Sequence, residues 1–150
     1  MQDRMLPETE RRLTTKGIAF FGALTVFLVL LHAAEEITRG ESAQNYGSFS
    51  LGGAILGLIL LMVLYVFGIG WTWKGRKLGY VIVLVLSLIG FLRTFAQIFG
   101  LGTTDLEATA AAYTSEAVGV FVVFVYLAIA LTSLMALFLS IYALAVRKQE

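Results

Sequence analysis

Apolar residues gather into four long blocks, and the polar segments between them alternate between basic and non-basic along the chain. A helix that crosses a bilayer needs about 20 mostly apolar residues, because only intrahelical bonding satisfies the backbone in hydrocarbon. The blocks predict spans over residues 17–36, 51–71, 78–100 and 116–146, with the first helix continuing through Arg39. The expected fold is all-α, an integral membrane four-helix bundle with left-handed up-down packing, and the four spans form one domain. The last span holds no charge from Ala117 to Val146. At 1.5 Å per residue that is roughly 45 Å, longer than a 30 Å hydrocarbon core, so it must tilt, curve or project.

The polar segments set the orientation. The leader carries Arg4, Arg11, Arg12 and Lys16, the middle turn Lys74, Arg76 and Lys77, and the tail Arg147 and Lys148. On the other side only Arg39 appears, in front of the Gly40–Phe49 loop, while the 101–115 loop carries Asp105 and Glu107 and no basic residue. Nine cations against one place both termini on the cytoplasmic side by the positive-inside rule. Trp71 and Trp73 close the second span, as amphipathic rings do at a headgroup boundary. A seven-residue turn is expected to follow. The leader is long and contains Asp3, Glu8 and Glu10, and no small-residue cleavage site follows the first span, so that span reads as retained rather than as a signal peptide.

Small and polar residues fall into stripes. Gly53 and Gly57 form a small-xxx-small pair, with Gly68 on nearly the same side. Gly119, Tyr126, Ser133 and Ser140 recur every seven residues, and Ser87, Gly90, Arg93, Thr94 and Gln97 line one side of the third span. Small residues let helices approach closely in lipid, where apolar burial gives little drive; a seven-residue repeat keeps one seam against a neighbour. Helix packing is the expected role of all three.

Composition adds exclusions. The chain of 150 residues is 59% hydrophobic and 14% charged, against about 25% charged in soluble domains. It has no cysteine, which removes disulfides and thiolate-held metals, and its single histidine cannot supply two axial imidazoles to a haem.

One polar cluster stands out. His32, Glu35, Glu36 and Arg39 share a helix face at the extracytoplasmic end of the first span. Arg93, roughly 22 Å up the third span, and Glu116, opening the fourth, are expected at the same level. A guanidinium facing lipid costs several kcal/mol, so Arg93 is expected to face the bundle or a hydrated pocket, with Glu36 as its carboxylate partner. Glu35 and Glu116 also qualify, and snorkelling to the headgroups is the competing account. His32, Glu35, Glu36 and Glu116 could grip a divalent metal or pass a proton, as imidazole and carboxylate one turn apart do in di-iron bundles. A catalytic zinc needs three protein ligands, which one histidine makes hard to assemble. Against that stands local pairing of His32 with Glu36 and of Glu35 with Arg39.

The residues His32-Ala33-Ala34-Glu35-Glu36 spell His-x-x-Glu-Glu, which resembles the motif of the HXXEE family of small multi-span membrane proteins. That family's second histidine and Tyr-x-Pro-Gly motif have no counterpart here, since Pro7 is the one proline. The resemblance implies a membrane fold and brings no assigned activity.

Three functional classes remain. Short loops, small-residue seams and the lack of a nucleophile or cofactor ligand favour a non-catalytic accessory or scaffolding subunit. Its expected partners are membrane lipids and other membrane subunits or copies of itself, not nucleic acid. Its expected place is the cytoplasmic (inner) membrane. A small enzyme or metal-binding protein using the His32 cluster is the alternative, and a transporter or channel component the third. Against the last, no span carries charge through its full depth, and proline-broken helices are missing.

Overall fold

A computed structural model describes residues 8–38, 51–99 and 115–147 of the chain, without the side chains of 36–38, 51, 54, 116 and 147. The described residues form four helices: α1, Glu8–Thr38; α2, Leu51–Trp73; α3, Lys77–Ile98; and α4, Glu116–Arg147. Each is long and apolar enough to cross a membrane.

Helix α1 begins nine residues before the first apolar block, within the polar leader. Local chemistry accounts for the early start. Glu8 and Glu10 lie in the first turn, where the helix dipole favours negative charge. Arg12 pairs back to Glu8 one turn away, and the Thr14 hydroxyl donates to the Glu10 carbonyl.

The α2–α3 connection is shorter than the expected seven-residue turn. Helix α2 runs through both tryptophans to Trp73, and α3 starts at Lys77. Gly75 makes this possible with φ 70°, the left-handed region that side chains avoid. Its N–H donates to the Thr72 carbonyl, and the Arg76 N–H donates to Trp71, the paired bonds of a Schellman ending.

The helices contact one another in a ring: α1 with α2, α2 with α3, α3 with α4 and α4 with α1, with little contact across the α1–α3 diagonal. Cross-links at three levels show α1 and α4 running antiparallel. Glu10 meets Tyr142, Thr25 meets Thr132, and the His32 ring meets that of Tyr126.

The interior is small and hydroxylated, and the outside is large and apolar. Thr25, Thr72, Ser87, Thr94, Thr132, Ser133 and Ser140 are all buried, around a core that includes Ile18, Tyr80, Val83 and Ala136. Leu56, Phe67, Leu92, Phe124, Leu131 and Phe138 stand on the surface. Apolar faces of this extent aggregate in water and are at home in hydrocarbon.

Gly119, Tyr126, Ser133 and Ser140 are buried along α4. Ser133 faces Gly90 of α3, where an added Cβ would stand 3.2 Å from the Ser133 hydroxyl oxygen. The α3 stripe, in contrast, divides. Ser87 and Thr94 are buried, with Gly90 and Gln97 half-buried, whereas Arg93 is exposed. Neighbouring helical positions differ by about 100°, so with Thr94 turned inward Arg93 emerges on the flank rather than in the bundle.

Candidate functional site

Among the sequence-singled residues, the structure brings together His32, Glu35 and Tyr126. Helix α1 places His32 and Glu35 one turn apart on a shared face, with the His32 Nδ1 3.8 Å from a Glu35 carboxylate oxygen. That spacing exceeds an ordinary hydrogen bond but suits an ion pair once the imidazole is protonated. Both side chains are largely enclosed. The imidazole lies over the ring of Tyr126 on α4, centroids 4.5 Å apart and planes tilted by 57°. The unit sets an imidazole beside a carboxylate at one end of the bundle.

The remaining members of the expected cluster are not assembled by the described atoms. Arg39, and the side chains of Glu36 and Glu116, lie outside the described residues. The proposed Arg93–Glu36 pair therefore rests on one described partner, and Arg93 is on the outer flank of α3. Among the described residues no three His, Asp or Glu side chains converge on a point that could hold a metal ion.

A second polar feature, absent from the sequence reading, occupies the middle of the bundle. The Thr25 hydroxyl donates to Thr132 at 2.9 Å, joining α1 to α4. The Tyr65 and Ser87 hydroxyls share a bond of 2.6 Å, joining α2 to α3, and Thr25 lies within bonding reach of Tyr65 as well. Each helix thus contributes one hydroxyl, near the middle of its apolar stretch. Thr25 and Thr132 also bond back to the carbonyls of Phe21 and Ala128, which orients both side chains. Hydroxyls spaced 22 or more residues apart carry no pattern of their own in a sequence. The one available signal was that Thr25 and Tyr65 are lone polar residues in otherwise apolar stretches.

Comparison of the chain with protein-family models, with curated proteins and with solved structures finds no match.

Proposed function

We propose that the chain is a small multi-pass protein of the cytoplasmic membrane, with both termini on the cytoplasmic side, that acts as a non-catalytic accessory or scaffolding subunit. It associates through its helix faces with other membrane proteins or with copies of itself. The bias of basic residues supports the orientation, and the apolar exterior supports the lipid setting.

The observation that carries the association is an open glycine in the apolar middle of α2; Gly70, likewise open, lies at the end of the helix beside Trp71. Gly22, Gly68, Gly79 and Gly90 each lie against a neighbouring helix, so that an added Cβ would press on it. Gly57 has nothing within 4 Å of that position, and it lies among the exposed Leu56, Leu60 and Leu64. Glycine costs helix stability relative to alanine, and close approach of a second helix is what repays it in lipid. Among the described residues no helix takes that place at Gly57, and the approaching helix is assigned to another molecule.

The test compares wild type with Gly57→Leu by native complex size in a mild detergent and by energy transfer between labelled copies in bilayers. Wild type is expected in a complex larger than one 16.4 kDa chain, and Gly57→Leu is expected to weaken association about tenfold while keeping its helical content. Unchanged association of Gly57→Leu would remove the support for this reading.

A further inference from the structure

At the end of the bundle opposite His32, α1 and the α2–α3 turn enclose a cleft of about 440 Å³, within the size range of small-molecule sites. Four cations line it: the adjacent Arg11 and Arg12 and, one turn on, Lys16 from α1, and Lys74 from the turn. Arg12 is paired with Glu8 on the rim, whereas Arg11, Lys16 and Lys74 have no carboxylate partner among the described residues. Three exposed cations converging without acids repel one another, and the arrangement is relieved by an anion between them. The floor is polar and fixed. Tyr80 is 2% exposed, and its hydroxyl meets that of Thr15 at 3.1 Å, so the hydroxyl pair is held by packing before any ligand arrives.

The cleft sits where the polar leader gives way to apolar chain. Lys16 immediately precedes the first apolar block, and Trp73, 60% exposed, is the last residue of α2. In a bilayer this is the headgroup level. Below Lys16 on the same face of α1 stand Phe20 and Phe27, 63% and 60% exposed, four and eleven residues on. A molecule with a phosphate at one end and acyl chains at the other would set its charge in the cleft and its chains along these rings.

We propose that this cleft binds a phosphate group at the membrane surface, carried by an anionic phospholipid or by a soluble phosphate ester. The proposal goes beyond the subunit reading and shares with it only the membrane setting. Lys16 and Lys74 supply point charges from opposite walls, Arg11 can present a fork to two phosphate oxygens, and the Thr15–Tyr80 pair offers a hydroxyl donor beneath.

The full chain, carrying Trp71→Phe so that Trp73 is the single tryptophan, is placed in neutral phosphatidylcholine nanodiscs. Quenching of Trp73 is measured with brominated phosphatidylglycerol and with brominated phosphatidylcholine, and inorganic phosphate is titrated separately. A lipid source predicts preferential quenching by the anionic lipid. Lys16→Gln or Lys74→Gln is expected to weaken that preference roughly fivefold each, and Lys77→Gln, outside the cleft, to weaken it far less. A soluble source predicts a saturable response of Trp73 to inorganic phosphate, again lost in Lys16→Gln, with no preference between lipids. Equal quenching by both lipids together with no phosphate response overturns the proposal, as does equal sensitivity to Lys77→Gln, which would mean diffuse surface charge. A chain that does not enter bilayers overturns the membrane setting instead, and the phosphate titration in detergent then decides the cleft by itself.

Discussion

At Gly79 a Cβ would stand 2.3 Å from the backbone nitrogen of Thr72 and 2.6 Å from the carbonyl carbon of Trp71, atoms that cannot rotate aside. Here α3 lies directly on the backbone of α2, and a Cβ added at Gly68 would stand 2.8 Å from the Ile82 side chain. Gly79→Ala must therefore push two helices apart, and overpacking of this kind costs about 1–3 kcal/mol. Gly75→Ala acts through backbone conformation: φ is 70°, and forcing a side chain into the left-handed region costs about 1–2 kcal/mol. Gly57→Ala meets open space in a helix, so it should leave the stability of a single chain unchanged or slightly raised. Unfolding of the three variants by denaturing detergent, monitored by circular dichroism, should rank Gly79→Ala as one of the two weakened forms and Gly57→Ala as wild-type-like. Loss of stability in the monomeric Gly57→Ala form would show that the environment assigned to α2 is incorrect.

Between elements, the four central hydroxyls do what apolar packing in lipid does poorly, which is to select one register. The Tyr65–Ser87 bond joins α2 to α3 well above Gly75, and Thr25–Thr132 joins α1 to α4 at a similar level. Interhelical side-chain bonds of this type are worth about 0.6 kcal/mol on average and up to roughly 1.7 kcal/mol in membrane proteins. A double-mutant cycle of Tyr65→Phe with Ser87→Ala should give a coupling in that range, and one of Tyr65→Phe with Ser140→Ala should give none. Absence of coupling between Tyr65 and Ser87 would mean that the short contact contributes no net stability. The helices themselves were legible from apolar block length, and the burial of Ser133 follows the seven-residue repeat that picked it out. The facing of Arg93 was not legible. Positions 93 and 94 lie about 100° apart around the helix, and hydropathy favoured neither as the inward one; the tight approach at Ser133–Gly90 sets the rotation of α3 instead. Nor could the sequence reveal the hydroxyl layer, because its members meet only after four helices are docked. The cleft of Arg11, Lys16 and Lys74 was hidden for a related reason: those residues were visible as charge, while the early start of α1 at Glu8, which arrays them on a helix, depends on capping and local pairing rather than on hydropathy.

Over the described residues, polarity is sorted twice: hydroxyls inward and large apolar side chains outward around the bundle axis, and, Arg93 apart, cations to one end along it. The second sorting is the stronger handle on topology. Glu10 and Tyr142 meet 2.5 Å apart, and Thr15 meets Tyr80, so the start of α1, the start of α3 and the end of α4 occupy the same end of the bundle as Lys74 and Arg76. Turning the molecule over in a bilayer would carry that entire basic end across, whereas the helix packing itself is indifferent to which leaflet it faces. Orientation therefore rests on charge and can be tested without disturbing the fold. Because the chain has no cysteine, single reporters can be introduced at Gln2→Cys, Ser42→Cys, Thr103→Cys and Gln149→Cys. In intact cells a membrane-impermeant maleimide should label positions 42 and 103 and reach positions 2 and 149 only after lysis. Labelling of 2 and 149 in intact cells, with 42 and 103 protected, would keep four crossings but invert the assignment, placing the phosphate cleft outside and the His32–Glu35 pair inside. Labelling of 42 and 149 from one compartment would break the four-crossing arrangement itself, since α2, α3 and α4 lie between them and three crossings must separate their ends.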